Sequence, residues 1–427
     1  MTLDTSDRAD VTETLDEFRA RARAWIDANL ERSDSAAYIG VLRPEASDEE
    51  ELALVRRERD IQRAMFDAGF AGICFPREYG GQGLPRAYQQ VFDEELAGYE
   101  YPSRLQVPTF VPCAAVLLEF GTEEQKRRHI PAILKGEELW MQMLSEPSGG
   151  SDVAAAVTTA VRDGEDWILN GSKIWTTGAW WSDWALCLAR TNWDVPKNRG
   201  LTVFMVPLKQ PSVEVHRIEM LSGSKEFCQE FLTDVRVPDS DRLGEVDDGW
   251  TVGTRWMFHE RMYRNSPYTT IPAGASRGAS RMPELFAVAR DAGRLDDPLA
   301  RDLLGEARML ELVKQSLEQR VSTGVATRTM SDQAASIARL MSGVVESRLV
   351  TIGYEFTDAN GAAWDEADGA VAQRGVDHLM RQVWCIAGGT TEMARNAISE
   401  RVLGMPRERS HDPNIPFRDV PRSRPAT

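Results

Sequence analysis

Cysteine is sparse in this 427-residue chain. Its five cysteines (Cys74, Cys113, Cys187, Cys228 and Cys385) are scattered, odd in number and never spaced as CxxC. This argues against a disulfide framework or a zinc site, and fits a reducing, cytoplasmic setting. Histidine is equally thin, with five residues and no cluster, so no metal centre is expected. Long apolar runs are missing: nothing approaches the roughly 18 residues of a membrane helix. The opening MTLDTSDRAD is acidic and polar, unlike a signal peptide. Positive charge is also in deficit. The formal net charge is −16, which opposes a nucleic-acid partner unless a local basic patch overrides it. One candidate basic run, Lys126-Arg127-Arg128-His129, follows Thr122-Glu123-Glu124-Gln125 and reads as the solvated face of a helix.

What is present is an ordinary globular composition, 42% apolar and 27% charged, in a chain long enough for two or three domains. Residues 1–137 read as helical. Leu15, Phe18, Ala22, Trp25 and Ile26 recur near 3.6-residue spacing, and a second such pattern stops at Gly69. "FPREYGGQGLP" is a turn-rich loop. Thr122 with Gln125 three residues on suggests a capping box. From 138 to 244 short apolar stretches alternate with turns. Asn170-Gly171 there carries the signature of a two-residue hairpin. From 245 to 408 long helical patterns return, near 249–265, 298–325, 331–357 and 372–403. Residues 409–427 hold proline and charge but little apolar content, and read as an extended arm. Helices, then strands, then helices argue for an α+β chain with separate layers.

Two stretches suit a flat, polar-edged ligand. "MLSEPSGGSD" (143–152) ends an apolar strand in a loop of small residues, where N–H groups and hydroxyls can approach an anion or ring edge. Alone it is only a Ser/Gly turn. "NGSKIWTTGAWW" then offers an aromatic, Trp175, and two hydroxyls, Thr176 and Thr177.

Together with "FGTEEQKRRHIPAILKGE" and "AGGTTEMARNAISERVLGMPRE", in that order and spacing, these stretches closely resemble the acyl-CoA dehydrogenase family over most of residues 50–408. The resemblance implies an N-terminal helical domain, a middle β domain and a C-terminal four-helix bundle, with FAD between the last two and completed by a neighbouring subunit. It implies a homo-oligomer, a dimer or tetramer, with Ile337, Leu340, Val344 and Val345 as an apolar helix face.

By position, Leu144 and Ser145 would face the flavin, and Gly150 and Ser151 the pyrophosphate or the CoA arm. Trp175 would pack on the isoalloxazine unless it is ordinary core, and Thr177 would sit near flavin N5. Thr390 and Glu392 match contacts to the FAD adenosine side, although Thr390 also suits a helix N-cap. Arg261 matches a residue reaching the CoA adenine end.

Three segments depart from the family pattern. Gln142 stands where a tyrosine is common. "ARDAGRLDDPLAR" replaces the usual inter-subunit FAD segment, leaving Arg290 and Arg301 as candidates, and "TIGYEFTDANGAAWDE" replaces a glutamine- and glycine-rich stretch. The inter-subunit site would then be rebuilt, or completed by a sister chain.

Dehydrogenation across Cα–Cβ of a thioester needs a base, an oxyanion donor and a hydride acceptor. Many family members carry the base where this chain has Gly388. Glycine there keeps the backbone N–H but removes the carboxylate. Other members place the glutamate on a helix, in a Glu-Arg pair, and this chain has Glu260-Arg261 in "WMFHERMYR". Trp256, Met257 and Met262 make that helix apolar, a costly setting for a carboxylate without a task. His259 reads as a surface or packing residue. The expected activity is FAD-dependent dehydrogenation of a branched, long or bulky acyl-CoA, with an electron-transfer flavoprotein as acceptor. An acyl-CoA oxidase or a non-catalytic subunit of a mixed assembly are the alternatives, the oxidase disfavoured by the lack of an extra C-terminal domain.

Overall fold

The computed structural model describes residues 13–33, 47–261, 266–273, 280–363, 369–407 and 414–421. They form two compact units. One holds the described residues up to 219 with 224–273 and 414–421; the other holds 220–223 with 280–363 and 369–407.

The first unit begins with helices. α1 (Leu15–Asn29) opens on a capping box: Thr14 Oγ1 accepts the Glu17 N–H, and the Glu17 carboxylate accepts the Thr14 N–H. Its apolar period buries Phe18, Ala22 and Ile26 against α2 (Asp48–Asp67) and α3 (Arg86–Glu95). Residues 103–120 form one helical run, α4 (Ser103–Leu105) and α5 (Ala115–Phe120) joined by a π-helical stretch, Gln106–Ala114. Pro112 inside that stretch has no N–H for a regular ladder. α6 (Glu123–Leu134) carries the expected capping box between Thr122 and Gln125. Its basic run is solvated at Arg127 and Arg128 but not throughout. His129 is buried, bonded through Nδ1 to Glu138 (2.8 Å) and set edge-on to Trp140 and Trp184. It is an interior residue because the helix turns it toward stacked indoles.

Eight strands follow: β1 (Trp140–Met143), β2 (Thr159–Asp163), β3 (Asp166–Thr177), β4 (Trp184–Arg190), β5 (Leu201–Pro207), β6 (Val213–Arg217), β7 (Phe227–Pro238) and β8 (Arg242–Leu243). Their order is β6-β7-β3-β2-β4-β5-β8, with β1 beside β4. Alternation sorts side chains between two cores. Leu186, Leu188, Val203 and Met205 join the helical core with Trp140 and Trp256; Ala185, Cys187, Phe204 and Val206 join the other with Trp167 and Val235. Every strand residue of β4 after Trp184 is buried, because both faces are covered.

Asn170-Gly171 makes no hairpin. The turn between β2 and β3 is at Gly164-Glu165, and Asn170-Gly171 lies inside β3 at an irregularity opposite β7. Asn170 Nδ2 donates to Asp234 Oδ1 (3.0 Å) and the Asp234 N–H donates back to Asn170 Oδ1 (2.9 Å). Those bonds use the asparagine to seal a bulge, and Gly171 lets Thr158 approach: a Cβ there would lie 2.5 Å from Thr158 Oγ1.

α7 (Gly249–Arg261) closes the unit; Met262 and the rest of the expected helix lie outside the described residues. Part of the C-terminal arm is anchored. Phe417 is buried, stacks on Trp193 (5.4 Å between ring centres) and lies under the Arg190 guanidinium (4.0 Å), and its N–H donates to the Val195 carbonyl (2.8 Å).

The second unit is helical: α8 (Met282–Asp291), α9 (Pro298–Ala326), α10 (Ala335–Glu355), α11 (Ala370–Met380), α12 (Val383–Ile386) and α13 (Thr391–Ala397). Leu285, Ala289, Leu304, Val345, Leu349, Ile352 and Phe356 form its core. Val345 is thus interior, while Val344 beside it is exposed, since adjacent helix positions face about 100° apart. Buried Glu346 is bonded by Lys314 (2.5 Å) and Arg281 (3.1 Å), so its charge is paired. The single helix expected over 372–403 is broken between α12 and α13 by Gly388 (φ +73°) and Gly389 (φ +101°), a conformation that apolar periodicity does not register. No described helix is long and apolar enough to cross a membrane.

Candidate active site

The loop after β1 is fixed by a buried ion pair. Glu146 accepts the Val157 N–H (2.6 Å), the Thr158 N–H (2.9 Å) and Lys173 Nζ (2.8 Å). Lys173 also donates to the carbonyls of Leu188 (2.6 Å) and Leu144 (3.3 Å). Burial pushes the Glu146 carboxyl up, but Lys173 and the N–H donors outweigh it and hold it below the usual range. Reciprocal backbone bonds between Glu146 and Gly149 make the turn, leaving Gly150 and Ser151 exposed beyond it. Ser145 Oγ lies 3.6 Å from where a Cβ on Gly150 would sit. The loop therefore gathers Leu144, Ser145, Gly150 and Ser151. Glu146 and Lys173 were missed as residues in their own right, although both stand as charges inside the two quoted motifs.

The Ile174 N–H donates to the Ser145 carbonyl (3.0 Å), bringing β3 beside this loop. One residue later β3 bulges: Ile174 pairs with Gln229 and Thr176 with Cys228, so Trp175 is the extra residue. Its φ is +65°, costly for a bulky side chain. The indole is 52% exposed, touching Phe227 edge-on at 6.0 Å. It is therefore not ordinary core. Thr177 is half-buried next to it. A hydroxyl- and N–H-lined turn beside an outward indole fits FAD: a flat ring has a stacking surface, and its polar edge and phosphates have donors.

Glu260 is half-buried in the last turn of α7. Its charge reaches the buried Cys113 thiol, which burial first and Glu260 second push well above its ordinary range. Cys113 Sγ in turn bonds the Met141 carbonyl of β1 (3.4 Å), the strand leading into Leu144 and Ser145. On the same helix, Arg255 Nε (2.8 Å) and His259 Nε2 (2.8 Å), the latter directly before Glu260, both bond Glu119 of α5. Burial raises the Glu119 pKa, but those two partners outweigh it and bring it down to about 2. His259 is thus a buried tether of α7. Arg261 is exposed at the helix end.

The remaining candidates lie in the second unit. Gly388 is in the left-handed region, and a Cβ there would meet nothing closer than Arg339 Nε at 4.0 Å. Arg339 Nη2 donates to the Ala387 carbonyl (2.7 Å). Thr390 caps α13, accepting the Met393 N–H (3.1 Å), and Glu392 is exposed in its first turn. Arg290 and Arg301 are both exposed, at the end of α8 beside Asp291 (3.1 Å) and in the first turn of α9. Gly388, Thr390 and Glu392 share one connection; the two arginines flank another.

The donor-bearing loop and the outward indole beside it suit a flavin-dependent oxidoreductase. Models of the acyl-CoA dehydrogenase N-terminal domain and middle domain match residues 12–137 and 142–235. Acyl-CoA dehydrogenase IpdE1 of Mycobacterium tuberculosis is 33% identical over 92% of this chain and 98% of its own. Acyl-CoA dehydrogenase FadE34 of the same organism is 34% identical over 87% of this chain, which spans half of that protein. The solved Tcur3481-Tcur3483 steroid ACAD has a TM-score of 0.72 at 28% identity, covering 92% of this chain and 98% of that one. The chain belongs to the acyl-CoA dehydrogenase family, and its cofactor is accordingly FAD.

Proposed function

We propose that the chain dehydrogenates a bulky acyl-CoA thioester across Cα–Cβ, with Glu260 as the base. The observation that carries this is Gly388. Gly388, left-handed, carries no carboxylate at the position where a glutamate is common, whereas Glu260 is a half-buried carboxylate that acts on the Cys113 thiol, itself bonded to the Met141 carbonyl of β1. In this reading the Glu260 carboxylate accepts the α-proton, and the Gly388 N–H donates to the thioester oxygen as negative charge builds there. Bound FAD supplies the acceptor for the hydride leaving Cβ.

Trp175 would pack against the flavin, Leu144 and Ser145 would face it, and Thr177 would donate to its ring. Gly150 and Ser151 hold the pyrophosphate or the CoA arm, and Arg261 meets the CoA adenine end. Thr390 and Glu392 serve the adenosine side; Arg290 and Arg301 serve a neighbouring subunit's FAD. Domains of 1–137, 138–244 and 245–408, with an arm at 409–427, suit these roles. An electron-transfer flavoprotein in the cytoplasm would be the electron acceptor. A steroid-derived thioester is the leading substrate class, supported by the likeness to a steroid ACAD.

In Glu260→Gln, FAD and thioester binding persist while flavin reduction slows by about a hundredfold or more, as expected on removing a general base. Anaerobic stopped-flow bleaching of the flavin measures this; an unchanged rate with a good substrate refutes the assignment. A second reading, membership of a mixed assembly, is favoured by the pairing of two chains in the name Tcur3481-Tcur3483. FAD uptake only on co-expression with a sister chain would support it.

A further inference from the structure

β7 carries a carboxyl group that the mechanism above does not use. Glu230 is fully buried, and it stands opposite Lys173 in the β3–β7 register. Lys173 gives it only a weak counter-charge and no bond, since that ammonium is engaged by Glu146 and the carbonyls of Leu144 and Leu188. Glu230 Oε2 is instead bonded to Thr176 Oγ1 at 2.7 Å, and Oε1 is buried with no protein partner. An apolar side chain would fill this position at less cost in desolvation. We propose that Glu230 is a positioning residue for the flavin face: through Thr176 it fixes the bulge that turns Trp175 outward.

The geometry of the strand supports this. Lys173 and Thr176 both point inward, three residues apart, which regular alternation forbids. The extra residue between them is Trp175. Holding Thr176 inward therefore forces the bulge, and a slip by one residue would turn the indole in. The groups that interact with Glu230 besides Thr176 are Lys173 and the buried thiols Cys187 and Cys228. Arg217, which also acts on Cys228, is engaged by Asp48 and Glu51. Burial, opposed mainly by the Thr176 bond, raises the Glu230 pKa to about 8. The native chain thus holds this proton more tightly than the unfolded chain. Stability conferred by the protonated form is full below the ordinary value of 4.5, declines as pH rises toward about 8, and is flat above.

The inference rests on the proposed flavin face, so its test reads the apo chain as well as FAD binding. The chain is labelled with 5-fluorotryptophan, and the Trp175 fluorine resonance is assigned with Trp175→Phe. Glu230→Gln should keep the resonance and bind FAD within about twofold of the parent; Glu230→Leu and Thr176→Val should shift the resonance and weaken FAD binding by about tenfold. The parent resonance should move as pH rises from about 6 to about 10, and that of Glu230→Gln should not. A parent-like resonance and FAD affinity in Glu230→Leu would overturn the proposal. If that variant does not fold, a parent resonance unmoved by pH overturns it equally. Unaltered flavin absorbance and affinity in Trp175→Phe would instead defeat the flavin face, while the apo resonances still decide the role of Glu230.

Discussion

Gly388 illustrates how one missing side chain constrains chemistry elsewhere. The site has room for a Cβ, but its φ of +73° is unfavourable for any residue that has one. Gly388→Glu should lower stability by about 1–2 kcal/mol, read as an earlier urea midpoint. Placed in the Glu260→Gln background, it should return only a small part of flavin reduction, because the introduced base sits on a strained backbone. Glu119 makes a second test at this scale. Its folded pKa of about 2 lies below the ordinary 4.5, so the unfolded chain binds the extra proton. Its stabilisation is complete above 4.5 and is lost as pH falls toward about 2. Glu119→Gln should remove about 1–2 kcal/mol at neutral pH, a figure discounted for its partial exposure. Urea titrations of parent and variant should converge in acid.

Elements were legible where period and punctuation agreed. α1 announces itself by its apolar period and α6 by its capping box, and β4 and β5 by apolar runs bounded by turns. The motif residues of the loop and β3 were equally visible. What held them was not: Glu146 with Lys173, and Glu230 with Thr176, are pairings between segments, and a one-dimensional pattern carries no register. Asn170-Gly171 misled for a related reason, since a left-handed or open backbone serves a bulge as well as a turn. Gly171→Ala should show the difference. In an exposed hairpin turn it would be mild, but here a methyl group would press on Thr158 at 2.5 Å. A loss of about 1–3 kcal/mol is expected by thermal or urea unfolding.

Over the whole molecule, apolar surface bears on assembly. Met309, Leu312 and Val313 of α9 recur at helical spacing and are exposed, a stripe that an isolated chain leaves in water. The chain should therefore be a dimer or tetramer by light scattering at micromolar concentration, and Leu312→Arg should shift it toward smaller species. A parent chain that is monomeric would refute this.

Connectivity has a different consequence. The segment bearing Phe417 belongs with the first unit, yet it follows every residue of the second in the chain. Arg190, which Phe417 covers, also donates to the carbonyls of Ala154 (2.7 Å) and Ala156 (3.1 Å), just past the Gly150-Ser151 turn. During synthesis that guanidinium waits for Phe417 until the whole second unit has been made. The stretch Ala154–Ala156 that Arg190 holds is therefore clasped from above only by residues made after the whole second unit.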